Sequence, residues 1–199
     1  MRLAIADPPY PAFRGSGGRK QRASRWYGDN QRATSDRPSD YHPEARMWDD
    51  DETHRALLER LLDTYDGWAI ATSVDGLRAY GSLPDPVRVM AWVKPNAQPG
   101  AHRLRSMWEP VLVYPAPGRR SNRGRGQVPD VLTCPAPRVG FIGAKPPQWT
   151  RWVLDALCYN AAEDTLDDLF PGSGLVTETA RVPRVAGGAL PVNTHPTLW

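Results

Sequence analysis

The residues with the clearest chemical potential lie near the start of the chain, in the segment Asp7-Pro8-Pro9-Tyr10. Two successive prolines restrict the backbone and leave no amide hydrogen at either position. The Asp7 carboxylate and the Pro8 carbonyl are two acceptors suited to the two hydrogens of an exocyclic amino group, and Tyr10 can stack on a base. The other interpretation of these residues is a proline-rich turn that Asp7 caps.

A second candidate is the segment Asp168-Leu169-Phe170-Pro171-Gly172-Ser173-Gly174, a glycine turn between a predicted strand and a predicted helix. The free amides at the start of a helix favour a carboxylate or phosphate of a ligand. Turns of this kind also serve only to reverse the chain, so this one alone does not identify a ligand. Lys145-Pro146, which precedes another predicted helix, is a third element that is uninformative alone.

Apolar runs predict the strands that carry these segments. Leu3-Ala4-Ile5-Ala6 is a short run that Pro8 and Pro9 must end, so we expect a buried strand with Asp7 at its carboxyl end. Further strands are predicted over residues 68–72, 87–93, 111–114 and 165–170, and helices over 50–65, 75–80, 149–157 and 173–181. This alternation predicts an α/β domain with a parallel sheet and crossover helices.

The order and separation of the three elements resemble those of one family, the DNA amino-methyltransferases. The similar branch is the one in which the Asp-Pro-Pro-Tyr strand precedes the cofactor-binding elements, and its short phage-encoded members are the most similar. The resemblance covers residues 1–180. It includes three further segments, Tyr65-Asp66-Gly67-Trp68, Ala91-Trp92-Val93-Lys94-Pro95 and Trp108-Glu109-Pro110-Val111.

The resemblance implies an α/β fold with a Rossmann-like, mostly parallel S-adenosylmethionine-dependent methyltransferase sheet, truncated at the C-terminal side. This domain would occupy residues 1–180, with a tail over residues 181–199. The implied reaction is methyl transfer to the exocyclic amino group of adenine in double-stranded DNA, without a metal ion. We expect the strand before Asp7 and the strand that carries Asp168 to be neighbours, with the reaction site at their carboxyl ends.

The resemblance also assigns roles to individual residues. It implies that a flipped-out base is held by a catalytic set: Asp7, Pro8, Pro9 and Tyr10. It implies that S-adenosylmethionine is bound by a second set: Lys145, Pro146, Asp168, Phe170, Gly172, Ser173 and Gly174.

One part of the family pattern is missing. In the family, an acidic residue after the glycine-turn helix bonds the cofactor ribose, but no residue after Glu178 is acidic here. The alternatives are weak cofactor binding or a pocket closed by the tail, through Asn193, His195 or Trp199. A catalytically inactive nucleic-acid-binding descendant, a cytosine amino-methyltransferase and an enzyme acting on RNA or another amine also stay open.

Basic residues are clustered although the net charge is only +3. One acid-free cluster lies in a long loop predicted over residues 11–46, and another in a small insertion predicted over residues 94–130, a candidate target-recognition segment. We expect both clusters to contact DNA phosphates, and the alternative for each is a solvated loop. Their members are Arg14, Arg19, Lys20, Arg22, Arg25, Arg119, Arg120, Arg123 and Arg125.

Cysteine spacing and the first residues predict a cytoplasmic protein. Cys134 and Cys158 lie far apart and fit no metal-binding spacing, so we expect two reduced thiols and no metal site. The first apolar run is too short for a signal peptide or a membrane span. The resemblance implies that this cytoplasm is that of a bacterial or phage-infected host cell. The oligomeric state, monomer or homodimer, stays open. The four histidines show no paired spacing and are expected to be surface or structural residues.

Overall fold

The computed structural model describes residues 1–11, 44–99, 103–121, 126–138 and 143–182. Within these residues one sheet contains six strands in the order β5-β3-β4-β2-β1-β6. All neighbouring strands are parallel except where β4 pairs antiparallel with β2 and β3. The strands are β1 (Arg2–Ala6), β2 (Gly67–Ala71), β3 (Arg88–Val93), β4 (Trp108–Tyr114), β5 (Val131–Thr133) and β6 (Thr165–Asp168).

Three α-helices accompany the sheet in the described part of the chain: α1 (Asp51–Thr64), α2 (Pro147–Ala156) and α3 (Leu175–Arg181). The Asp50 side chain caps α1 by accepting a hydrogen bond from the amide of Glu52. Acidic residues in the first turn complement the helix dipole. Helix α2 begins with Pro147, whose fixed φ suits a first helical position. Short 3₁₀ helices lie at Ala45–Asp49, Asp75–Tyr80 and Pro117–Arg119.

Strand β1 is buried on both faces, which explains its uninterrupted apolar run. Leu3 and Ile5 point to the face covered by α2, whereas Ala4 and Ala6 point to the face covered by α1. Aromatic side chains bury the largest apolar areas, so the tryptophans dominate the core. On the α2 face these are Trp92, Trp149 and Trp152, and on the α1 face Trp68.

The predicted α/β class and mostly parallel sheet are confirmed, and the architecture is compatible with a Rossmann-like fold. The strand predicted over 165–170 ends at Asp168, and the helix predicted over 173–181 begins at Leu175. The short helix predicted over 75–80 has the predicted bounds and is a 3₁₀ helix.

The range 94–130 contains β4, an interior strand of the sheet. Val111, Leu112 and Val113 of β4 are buried between the two layers of core. A target-recognition segment in this range is therefore confined to the residues on either side of β4. The loop predicted over 11–46 lies almost entirely outside the described residues, as does the tail after Val182.

His54 is a structural residue of the core, as one of the two predicted alternatives for the histidines has it. It is fully buried, with Nδ1 3.3 Å from the hydroxyl oxygen of Tyr80 and Nε2 3.0 Å from the carbonyl oxygen of Trp48. Burial lowers its pKa. The other three histidines lie outside the described residues. Among the described helices, none has both the length and the apolar character needed to cross a bilayer.

Candidate active site

The two motifs that lie furthest apart in the sequence meet at one edge of the sheet. Strands β1 and β6 are parallel neighbours, with Ile5 opposite Asp168. The amide of Leu169 donates to the carbonyl of Ile5 at 3.0 Å, so the pairing continues to the start of the glycine turn. Because parallel strands end at the same edge, residues 7–10 and 168–174 emerge side by side. The predicted pairing of these strands is confirmed.

Asp7 forms an ion pair with Lys145 through both carboxylate oxygens. The Nζ atom of Lys145 lies 2.8 Å from Oδ1 and 2.7 Å from Oδ2, and it donates to the carbonyl of Gly143 at 2.9 Å. All three ammonium donors are therefore used. Burial raises the pKa of Asp7, and the charge of Lys145 acts against this rise. The side chain of Asp7 stays 21% exposed, so part of it is open to solvent.

Three aromatic rings surround the same ammonium. The Lys145 Nζ atom lies 5.3 Å from the ring centroid of Tyr10, 5.8 Å from Trp149 and 5.9 Å from Trp92. Cation–π attraction is strongest where the cation is removed from water, and Lys145 is only 3% exposed. The rings and the Asp7 carboxylate together stabilise a buried positive charge. Lys145, predicted to bind the cofactor, thus contacts Asp7 and Tyr10 of the predicted base-binding set.

Two further charged residues, Lys94 and Glu109, form one cluster with Asp7, Lys145 and Tyr10. The Tyr10 hydroxyl donates to Oε2 of Glu109 at 2.7 Å, and Lys94 forms an ion pair with Oε1 of Glu109. Burial acts to raise the pKa of Glu109, but the charges of Lys145 and Lys94 and the two hydrogen bonds lower it. Glu109 is therefore a carboxylate at neutral pH, held by two partners.

Neither Lys94 nor Glu109 is among the predicted site residues. Lys94 directly follows β3, so its position after a predicted strand was a usable signal for the same sheet edge. Glu109 lies near the start of β4, and it reaches this edge only because β4 runs antiparallel to its neighbours. The direction of β4 is a property of the whole sheet, and no local pattern around Glu109 indicates it.

The glycine turn has backbone conformations that explain its composition. Gly172 has a φ of 44° and Gly174 a φ of 79°, in the left-handed region that favours glycine. A methyl group added at Gly174 would meet no atom within 4 Å, so the space beside the turn is open. Asp168 accepts a hydrogen bond from the Thr177 hydroxyl at 2.7 Å, which ties its carboxylate to α3.

Two residues predicted to bind the cofactor have contacts with the protein core. Phe170 packs edge-to-face on Trp48, with ring centroids 5.0 Å apart, on the α1 side of the sheet. Pro146 is buried directly before α2 and places Lys145 at the end of that helix nearest Asp7. Ser173 is partly exposed within the turn.

Arg119 is not available to contact DNA phosphates, which corrects one of the predicted nucleic-acid contacts. Its guanidinium is buried and donates to both carboxylate oxygens of Asp164, and to the carbonyl of Cys158 at 2.8 Å. The N-terminal amine also pairs with Asp164 at 3.0 Å. Arg119 therefore connects its 3₁₀ turn to the segment before β6.

Among the described residues, Arg120 is the member of the predicted basic clusters that remains accessible at the surface. It is exposed, and its guanidinium lies over the Tyr114 ring at 5.1 Å. The remaining predicted contacts lie outside the described residues: Arg14, Arg19, Lys20, Arg22, Arg25, Arg123 and Arg125.

No protein-family model matches the chain, and no curated protein matches it.

Proposed function

We propose that this protein is an S-adenosylmethionine-dependent DNA amino-methyltransferase that acts on adenine. The observation that supports this most strongly is the parallel pairing of β1 with β6. It brings the acceptor-rich segment 7–10 beside the glycine turn 168–174. Methyl transfer requires donor and acceptor in near contact, so the segments that bind the base and the cofactor must share one edge of the sheet.

On the base side, Asp7 and the Pro8 carbonyl accept the two hydrogens of the exocyclic amino group. These contacts draw the hydrogens toward oxygen and leave more electron density on the nitrogen. Each oxygen of the Asp7 carboxylate has two lone pairs, so Asp7 can bind the amino group while it keeps Lys145. Tyr10 provides the surface on which the extruded base stacks.

On the cofactor side, the residues of the turn fit the methionine end of S-adenosylmethionine. The Asp168 carboxylate suits a cationic amino group, and the open space beside Gly174 leaves room for a ligand. Phe170, Gly172 and Ser173 would border it. When bound, the cofactor supplies a methyl group already activated on a sulfonium. The contact between Lys145 and Asp7 supports a role for Lys145 and Pro146 on the base side instead.

The basic residues on the surface would contact the DNA backbone. Of these, Arg120 is exposed in the described structure. Each neutralised phosphate adds affinity that decreases as the salt concentration rises.

The proposal is tested by incubating the protein with radiolabelled S-adenosylmethionine and unmodified DNA, followed by nucleoside analysis. We expect label in N6-methyladenine, and no label with Asp7→Ala. Asp85→Ala is a matched control, because Asp85 is an exposed carboxylate just before β3, at the opposite end of that strand from Lys94. Label in cytosine would instead favour a cytosine amino-methyltransferase. DNA binding with neither transfer nor cofactor affinity would overturn the proposal in favour of a catalytically inactive nucleic-acid-binding protein.

A further inference from the structure

A carboxylate from the antiparallel strand holds the residue that would stack on the base. The Tyr10 hydroxyl donates to Glu109 at 2.7 Å across 99 positions of sequence. The other oxygen of Glu109 is occupied by the ammonium of Lys94. Both charged side chains are largely buried, with 18% of Glu109 and 17% of Lys94 exposed. An anion with both oxygens engaged in this way has little freedom to move.

The backbone of Tyr10 is restricted as well. Pro9 precedes it and Pro11 follows it, and a residue before proline is confined to extended conformations. The far end of the side chain is tied to Glu109, so the ring is held at both its Cα end and its hydroxyl end. Lys145 lies 5.3 Å from the ring centroid, which gives Tyr10 a further neighbour. A ring held in this way is ordered before any base arrives.

Lys94 is itself placed by the sheet. Its amide donates to the carbonyl of Met107 at 2.7 Å, which extends the antiparallel pairing of β3 and β4 by one step. Its ammonium lies 5.3 Å from the ring centroid of Trp92, a fully buried core residue. The orientation of Glu109 is therefore connected to the rigid centre of the sheet.

We propose that Glu109, oriented by Lys94, is a positioning residue that preorganises the Tyr10 ring for stacking on the extruded target base. The inference rests on the proposed function, because it needs an extruded base as the stacking partner. Stacking stabilises the extruded state against the paired state, and a ring that is already ordered loses less entropy on binding. Glu109 acts through Tyr10 and does not touch the reacting atoms.

The test compares Tyr10→Phe, Glu109→Gln and the double variant in steady-state methylation of a duplex that contains a mapped target adenine. Tyr10→Phe keeps the stacking ring and removes only the hydroxyl. Glu109→Gln keeps the shape and removes the charge. Ordering one side chain accounts for about threefold to tenfold in kcat/KM, which is the loss expected in each single variant. The double variant should lose no more than the larger single loss, because both substitutions disrupt one interaction.

A second substrate separates positioning from a general structural role. When the target adenine lies opposite an abasic site, extrusion costs less and depends less on stacking. The loss of activity in both variants should then be smaller on this duplex than on the fully paired one. The difference should appear mainly in kcat, which approaches the wild-type value. Glu59→Gln, an exposed carboxylate on α1, is the matched control and should behave as wild type on both duplexes.

Several results would overturn the inference. These are wild-type kinetics in Tyr10→Phe, additive losses in the double variant, or the same loss on both duplexes. If Glu109→Gln fails to fold by circular dichroism, Tyr10→Phe alone still decides, through its ratio between the two duplexes. A wild-type protein that transfers no methyl group refutes the proposed function and this inference together, whereas an active wild type with unaffected variants refutes the inference alone.

Discussion

The ammonium of Lys145 lies 2.8 and 2.7 Å from the two carboxylate oxygens of Asp7, although 138 positions separate the residues in the chain. Burial is the larger influence on Asp7 and raises its pKa, while Lys145 opposes the rise. A carboxylate accepts hydrogen bonds through both oxygens, whereas a protonated carboxyl must donate through one of them. Lys145 therefore helps to keep Asp7 in the form that can hold an amino group.

Replacing Lys145 with methionine should shift the pH dependence of methyl transfer to higher pH. Methionine keeps an unbranched apolar side chain among the three rings but removes the charge, so the pKa of Asp7 should rise further. Activity should fall at neutral pH, by about 100-fold if one preorganised polar contact is lost, and recover as the pH increases. The measurement is kcat/KM from neutral to alkaline pH.

Lys145→Arg is the control for this experiment, because it retains a positive charge beside Asp7. Its pH profile should stay close to that of the wild type. A Lys145→Met profile that is parallel to the wild-type profile over the whole pH range would show that Lys145 does not act through the ionisation of Asp7.

Asp168→Asn should weaken cofactor binding without disturbing the sheet. The substitution removes the negative charge proposed to pair with the amino group of S-adenosylmethionine, and asparagine can still accept the hydrogen bond from Thr177. Loss of a hydrogen bond to a charged group costs about 1.5–3 kcal/mol, or roughly tenfold to 100-fold in affinity. Isothermal titration calorimetry with S-adenosylmethionine measures it directly.

Asp167, the carboxylate next to Asp168 in the chain, provides a matched control. Asp167 pairs with Arg2 and accepts from the Tyr65 hydroxyl, on the other face of β6. Asp167→Asn should leave the affinity for S-adenosylmethionine unchanged. Equal effects of the two substitutions would argue against a specific role for Asp168.

Asp164→Asn should destabilise the protein in a manner that depends on pH. Burial acts to raise the pKa of Asp164, but the hydrogen bonds from Arg119, the amide of Asn160 and the N-terminal amine lower it. A carboxyl whose pKa is lowered by folding stabilises the folded state at pH values above its ordinary pKa of 3.8. This contribution is lost as the pH falls toward the folded-state pKa.

At neutral pH the variant leaves the Arg119 charge buried without a full partner, which costs about 3–5 kcal/mol. Urea unfolding at neutral pH and in acid measures the difference from the wild type, which should shrink in acid. A difference of the same size at both pH values would show that the substitution acts through packing and not through charge.

Much of the fold could be predicted from local patterns. Two apolar runs predict β1 and β2, one ended by Pro8 and one that follows Gly67, because a strand buried on both faces needs an unbroken apolar sequence. The strand β5 lacks this pattern, since Val131 is half exposed and the strand has only three residues. The insertion of β4 between β2 and β3 depends on pairing between strands, which local periodicity does not encode.

The candidate site divides in the same way. Proline and glycine after the apolar runs predict that Asp7 and the glycine turn follow the carboxyl ends of strands, because these residues interrupt strand pairing locally. The last residue of a strand is less well specified, since β6 ends at Asp168 and not at the predicted residue 170. The side-by-side placement of β1 and β6 was predicted only through the resemblance to a family. Three contacts follow only from the three-dimensional arrangement: Lys145 with Asp7, Glu109 with Tyr10, and the buried Arg119 with Asp164. Each joins residues far apart in the chain, and their proximity follows from the strand order and from the direction of β4.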